Sequence, residues 1–159
     1  MITAAEVHAL HVPISPISGT NAVGFNSTAT FNFTPGNPGG GAYDFMGIAL
    51  HEMTEVLGRV SLNGAISGHG SGTVTEYTPL DLFRTGTGDS VFSTNGVQQQ
   101  FNTSGSGDQG DWATTTDAFA ASPTLGTDLP FTYADYLAME AAGWSGNFAG
   151  LAGDWINFG

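Results

Sequence analysis

Apolar residues recur with a helical period from Tyr43 to Leu57, and this periodicity predicts the clearest helix of the chain. The apolar positions occupy two neighbouring sides of that helix, so we expect much of its circumference to be buried. Gly58 follows the last apolar position, where a residue in the left-handed conformation commonly ends a helix. The apolar positions are Phe45, Ala49 and Val56 on one side and Met46, Leu50, Met53 and Leu57 on the other.

Weaker patterns around this helix predict short elements. Residues 3–10 suit a helix, with Thr3 as the N-cap and Glu6 completing a capping box. Alternating apolar and polar positions over residues 29–33 predict a half-buried strand. Residues 61–72 are rich in Gly and Ser and are predicted to form a loop.

The second half of the chain is predicted to be rich in loops and to end in a helix. Asn95 and Gly96 can adopt the positive φ angles of a type I′ turn, which predicts a β-hairpin around them. The predicted elements are a strand beginning at 73–77, the hairpin at 90–102, an Asp-rich loop at 103–119 and a helix at 132–144. Together these elements indicate an α+β fold, in which a small twisted sheet packs on the long helix.

Composition favours a single domain over residues 1–159. The chain is 40% hydrophobic and contains 24 glycines, which suits a real core surrounded by many turns. Within this domain we expect a first part at 1–67, with the sheet and the long helix, and a C-terminal part at 68–159. The chain has no cysteine, so no disulfide supports the fold.

The charge is strongly negative. Fourteen acidic residues stand against two arginines, the chain has no lysine, and the formal net charge is −12. This balance argues against nucleic acid and against an anionic membrane surface as partners. No apolar run reaches the length of a membrane span, and the first residues lack the basic start and apolar block of a signal peptide. We expect no membrane partner, and we expect any export signal to lie outside this chain.

The stretch HEMTEVLGR at residues 51–59 carries the candidate chemistry. His51 and Glu55 are four residues apart, so they share one helix face and can bind one divalent cation. Glu52 projects about 100° round the helix from His51, where a carboxylate can take a proton from water activated by a metal. An ordinary helix whose His-Glu-x-x-Glu side faces water would show the same pattern. Burial of these groups without a cation would be costly, which favours the metal.

The residues around this motif resemble a known family. The stretch GGGAYDFMGIALHEMTEVLGR is similar to the active-site helix region of zincin metalloproteases. More specifically, it resembles a family of bacterial secreted, metzincin-like metalloproteases with His-Glu-x-x-Glu-x-x-Gly-Arg, sometimes found with PEP-CTERM sorting tails or on type I secreted proteins. The blocks YTPLDLFRTGTG, FSTNG, FNTSGSGDQGDW, DAF and DYLAMEAAGW follow in the family's order, within a resemblance that covers most of residues 20–145. The resemblance implies a secreted, zinc-dependent endopeptidase with a zincin-like fold. We expect a monomer that cleaves proteins or peptides.

The third metal ligand must come from outside the helix, because the third His of metzincins would fall at Ser61. Asp81 follows a proline turn and is one candidate, although a salt bridge with Arg84 or Arg59, or a turn cap, would use it equally well. His69 is the better zinc donor by chemistry and is the other candidate.

Two further groups have open roles. Tyr77 can polarise a scissile carbonyl, as a Tyr does in several zincins, or can simply be packed. Asp108, Asp111 and Asp117 lie in a Gly-rich loop and can surround a structural Ca²⁺ or cap turns.

The sequence thus predicts a zinc endopeptidase with Glu52 as general base and a cleft along the helix, where residues 21–27 can serve as an edge strand for the substrate. A ligand set containing Glu55 is more anionic than three histidines, so turnover should be slow unless Arg59 offsets its charge. The alternatives are a catalytically weak or inactive metal-binding module, secreted or on a surface, and a structural surface domain without metal.

Overall fold

The computed structural model describes residues 3–9, 11, 13, 22–36, 38–69, 72–105 and 107–145, apart from the side chains of His8 and residues 67–69. This part of the chain combines three α-helices with three small sheets, and the predicted α+β class is confirmed. The helices are α1 (Ala4–Ala9), α2 (Phe45–Val56) and α3 (Tyr133–Ala141), with 3₁₀ turns at Pro79–Phe83 and Thr87–Asp89. The strands are β1 (Phe31–Asn32), β2 (Tyr43–Asp44), β3 (Ala65–His69), β4 (Gly72–Glu76), β5 (Arg84–Thr85), β6 (Val91–Thr94) and β7 (Val97–Gln100).

Each sheet is small. Strands β1 and β2 pair in parallel, β3 and β4 pair antiparallel, and β5, β6 and β7 form an antiparallel sheet in that order. The hairpin β6–β7 turns at Asn95 and Gly96, whose φ angles are 49° and 77°, so the predicted type of turn residue is confirmed.

Specific backbone features and hydrogen bonds fix both ends of helix α2. The Asp44 carboxylate accepts hydrogen bonds from the amide of Met46 at 3.1 Å and from that of Leu129 at 3.0 Å. At the other end Gly58 has a φ of +116°, which confirms the predicted left-handed residue. The helix therefore begins and ends within two residues of its predicted limits.

The expected burial of α2 is wrong on one side. Met46 and Met53 are 42% and 54% exposed, and among the residues of α2 only Gly47 and Thr54 are buried. The reason is the size of the neighbouring sheet, because strands of two residues are too short to cover a helix of this length.

Two other predictions need correction. Residues 61–72, predicted to be loop, include strand β3 and the start of β4, so a hairpin crosses the predicted division between residues 67 and 68. Residues 22–26 of the predicted edge strand have no regular structure, and residue 21 lies outside the described part. The capping box between Thr3 and Glu6 is confirmed, with both hydrogen bonds formed at the start of α1.

The core lies in the C-terminal half and supports the back of α2. Leu50 of that helix and Leu57, which directly follows it, pack against the core. Buried side chains from β6, α3, the first 3₁₀ turn and the long loop between β7 and α3 (residues 101–132) meet there: Leu80, Phe92, Phe101, Trp112, Phe119, Leu137 and Met139. This packing joins the two predicted parts of the chain and carries the long loop to one face of α2.

Candidate metal centre

The imidazole of His51 is oriented by the backbone of the long loop. Its Nδ1 lies 2.9 Å from the carbonyl oxygen of Ala118. A carbonyl oxygen can only accept, so Nδ1 carries a hydrogen and donates it. The other ring nitrogen, Nε2, then faces the acidic side chains of the centre. Metal-binding histidines are commonly oriented in this way by a carbonyl group.

Two carboxylates converge on Nε2 of His51. The Oε1 atom of Glu55 lies 3.2 Å away, one helical turn along α2. The Oδ1 atom of Asp111 lies 3.4 Å away and comes from the long loop. One ligand atom from each of the three residues lies within 4.8 Å of the others. This group can hold a metal ion, and one imidazole with two carboxylates is a donor set that divalent cations accept.

Arg59 lies behind the two carboxylates. Its Nη1 donates to Oδ1 of Asp111 at 2.7 Å, and its Nη2 lies 3.5 Å from Oε1 of Glu55. Its Nε donates to the hydroxyl of Thr54 at 3.1 Å, and the guanidinium carbon sits 4.1 Å from the centroid of the Phe119 ring. The predicted pairing of Arg59 with Glu55 is confirmed, but the shorter ion pair is with Asp111.

The two carboxylates and the one guanidinium around Nε2 carry a net negative charge, which favours a cation beside this nitrogen. Burial lowers the pKa of His51, but the hydrogen bond with Glu55 and the nearby carboxylate charges outweigh it and raise the pKa above its ordinary value. Burial raises the pKa of Glu55, yet the hydrogen bond with His51 and the charge of Arg59 bring it below its ordinary value. Burial holds the pKa of Asp111 above its usual range despite Arg59. The centre therefore stabilises a positive charge beside Nε2, as a proton or as a cation in its place.

The loop that carries Asp111 is held by both arginines of the chain. Arg59 donates to the carbonyl of Gly110 at 3.2 Å, and Arg84 donates to the carbonyl of Gln109. Arg84 in turn packs on the Phe101 ring, with its guanidinium carbon 3.7 Å from the ring centroid. The position of Asp111 is thus fixed by ion pairs and carbonyl contacts rather than by regular secondary structure.

Asp81 lies outside the metal centre, and its surroundings contradict its assignment as a ligand. One oxygen accepts from the Ser61 hydroxyl at 2.5 Å and from Nε of Arg84 at 2.9 Å. The other accepts from the amides of Leu62, Asn63 and Thr78 at 2.8–3.1 Å. Donors thus surround both oxygens, and the alternative role as salt bridge and turn cap is correct. Burial raises the pKa of Asp81, but these hydrogen bonds outweigh it and lower the pKa below its ordinary value.

The other predicted residues have different placements. Glu52 is half-buried on α2, next to His51, and its carboxylate has no hydrogen-bond or ion-pair partner among the described residues. Tyr77 is half exposed, and its hydroxyl lies close to Gly64, where an added Cβ would be 3.1 Å from it. His69 belongs to strand β3, but its side chain lies outside the described part of the structure.

The aspartates of the long loop have divided roles. Asp108 accepts from the amide of Gly110 at 2.6 Å, and Asp117 accepts from that of Phe119 at 2.7 Å. These contacts match the turn-capping alternative. Asp111 joins His51 and Glu55 in the candidate metal centre, a contact that the sequence did not indicate because Asp111 lies far from His51 along the chain. The signal in the sequence that could have indicated Asp111 was Arg59, because a buried arginine needs an acidic partner.

Comparison with known proteins adds no relative. A scan against protein-family models, a search of curated proteins and a search of solved structures each found no match for this chain. No helix in the described part of the chain has both the length and the apolar character needed to span a membrane. A proposal of function therefore depends on the residues of this chain and their geometry.

Proposed function

We propose that this protein is a metal-dependent endopeptidase of the zincin type. His51, Glu55 and Asp111 would hold a zinc ion, and Glu52 would act as the general base. The convergence of one imidazole nitrogen and two carboxylate oxygens within 4.8 Å carries the proposal. The likeness of residues 51–59 to the His-Glu-x-x-Glu-x-x-Gly-Arg motif supports it, and on that likeness we propose secretion from a bacterial cell.

The residues around the centre suit this role. The Nδ1–H group of His51 is already engaged with the Ala118 carbonyl, so Nε2 is directed at the proposed ion. The Glu55 and Asp111 carboxylates together bring two negative charges, and Arg59 balances one of them. A bound zinc ion would make water acidic enough to ionise near neutral pH and would polarise a carbonyl group.

Glu52 would perform the proton transfers. Its carboxylate is half-buried and has no partner among the described residues, so it can accept a proton from the attacking water. The same proton would then pass to the amine that leaves as the peptide bond breaks. Removal of a positioned general base typically costs about 10²–10⁴-fold in rate.

A metal-binding module without catalysis is the second candidate. Arg59 contacts both candidate ligand carboxylates, at 2.7 Å and 3.5 Å. Its charge reduces the electron donation of these carboxylates and opposes a second cation nearby. Tyr77 lies beside Gly64 in the region of the β3–β4 hairpin.

Three measurements on purified protein separate the candidates. Elemental analysis should find about one zinc ion per chain in the parent and a loss of zinc in His51→Ala. Peptide digestion followed by mass spectrometry should show cleavage by the parent and a loss of about 100-fold or more in Glu52→Gln. The matched control is Glu140→Gln, an exposed position on α3, which should cleave like the parent.

The outcomes have distinct meanings. Zinc binding without cleavage by the parent would favour the binding module. Cleavage retained by Glu52→Gln would show that another group is the base. A parent that retains no ion at saturating zinc would refute the metal centre itself.

A further inference from the structure

An aromatic cluster lies at the N-terminal end of α2 and is only partly covered. It consists of Phe25, Phe31, Phe33, Tyr43 and Phe45. The Phe45 ring is at its centre, with the Phe33 and Phe25 ring centroids 4.5 Å and 5.2 Å away. Phe33 is 69% exposed and Phe25 is 40% exposed, so a sizeable aromatic surface faces solvent. Contiguous exposed apolar surface commonly marks a binding site.

This cluster shares a helix face with the proposed general base. Phe45 and Glu52 are seven residues apart in α2, which is close to two helical turns, so their side chains project in nearly the same direction. Their separation along the helix axis is about 10 Å. An extended polypeptide advances about 3.3 Å per residue, so about three residues would span this distance.

The charges around the cluster favour a positively charged occupant. Both arginines are enclosed in ion pairs, with side-chain exposures of 0% for Arg59 and 2% for Arg84, and the chain has no lysine. Asp128 is exposed near the N-terminus of α2, where it interacts with Asp44, and Glu52 lies further along the same helix. A second copy of this chain would bring the same negative charge and would be repelled. A cationic polypeptide would be attracted.

We infer that the aromatic cluster binds a bulky apolar side chain of a cationic peptide substrate, about three residues from the bond that is cleaved. This inference depends on the proposed function, because Glu52 sets the position of the cleaved bond. The apolar side chain would bury itself against Phe33 and Phe25. Basic residues on either side would be attracted by the exposed carboxylate of Asp128 and by the net negative charge of the chain.

Binding can be measured without cleavage by using zinc-loaded Glu52→Gln protein in isothermal titration calorimetry. Three peptides of equal length serve as probes: a lysine-rich peptide with one Phe, the same peptide with Ala in place of Phe, and a glutamate-rich peptide with Phe. The first should bind at least about tenfold more tightly than either of the others. Adding Phe33→Ser should weaken the binding of the first peptide by about tenfold. The matched control, Leu82→Ser, removes another exposed apolar side chain and should leave the affinity unchanged.

The failures of the two proposals can be told apart. Equal binding of the three peptides, or an unchanged affinity in both Phe33→Ser and Phe25→Ser, overturns the docking site. Cleavage by the parent regardless of peptide charge and Phe position also overturns it, while the peptidase proposal stands. Phe33-dependent binding of the first peptide, without cleavage by the parent, refutes the peptidase and supports the cluster as a binding surface. Parent cleavage about three residues from the Phe supports both.

Discussion

Replacing Asp111 by asparagine tests the metal centre most directly. The asparagine oxygen can still accept the hydrogen bond from Nη1 of Arg59, which is 2.7 Å from Oδ1 in the parent. The attraction of two unit charges about 4 Å apart is about 4 kcal/mol at an effective dielectric constant near 20. Most of this attraction offsets the cost of burying the charges. Because burial raises the pKa of Asp111 despite Arg59, the two effects nearly cancel, and we expect Asp111→Asn to change the free energy of unfolding by about 1 kcal/mol or less without metal.

The effect of Asp111→Asn on zinc affinity should be larger than its effect on stability without metal, and the two effects can be measured separately. Loss of one of the two anionic ligands should weaken zinc binding by about 100-fold or more, since even residues that only orient a ligand cost 10–100-fold. At a free zinc concentration of about 100 times the parent's Kd, the parent should gain about 2.7 kcal/mol of stability. A variant with 100-fold weaker binding should gain only about 0.4 kcal/mol at the same concentration.

Urea unfolding with and without buffered zinc measures both quantities, and tryptophan fluorescence, to which the buried Trp112 contributes, reports the transition. Asp108→Asn is the matched control, because Asp108 accepts a hydrogen bond from the Gly110 amide that asparagine can also accept. This control should gain as much from zinc as the parent. An equal zinc-dependent gain in Asp111→Asn and the parent would refute Asp111 as a ligand. Equal losses in both variants would show that the loop, rather than the ligand, matters.

Two further predictions concern the fold. Gly47→Ala would place a Cβ 2.2 Å from Cβ of Leu129, so we expect a loss of about 2 kcal/mol or more in unfolding free energy, although alanine in a helix usually gains about 1 kcal/mol. Gly41→Ala, which meets open space, is the control, and a stabilised Gly47→Ala protein would contradict the packing. The pKa of Asp81 is lowered, so its contribution to stability is present above the ordinary unfolded pKa of about 3.9 and is lost as pH falls through the folded pKa. Urea titrations from about pH 6 to about pH 3 should show a weaker acid dependence in Asp81→Asn than in the parent, and identical slopes would argue against the Asp81 network with Arg84.

Local features of the site could be predicted from the sequence. The limits of α2 follow from a periodic apolar pattern and from Gly58, which both act within a few residues. Because helix geometry fixes the relation of residues four apart, the approach of Glu55 to His51 also follows from spacing alone. The predicted Asn95–Gly96 turn has the same local origin.

Features that depend on the path of the chain could not be predicted. Asp111 reaches His51 from a loop with no hydrophobic period, and its neighbours Asp108 and Asp117 present the same local signals. Asp81 is a candidate ligand by sequence because its proline turn lies in a family-like block, and the salt-bridge role is an equal alternative. Its oxygens accept hydrogen bonds from donors that include the backbone amides of Leu62 and Asn63, and the approach of these residues to the 3₁₀ turn is a tertiary feature. Strand β3 is not indicated by its sequence, because glycine is depleted in strands and is typical of loops.

Both guanidinium groups are buried in ion pairs, so the charges that hold the fold are separate from those that would attract a substrate. Arg59 and Arg84 hold the loop of Asp111 from within, where dissolved ions screen charges weakly. The carboxylate of Asp128, which would attract a peptide, is exposed to solvent, where the Debye length falls to about 3 Å at 1 M salt. A saline medium would therefore slow the arrival of peptides without loosening the framework that positions the centre.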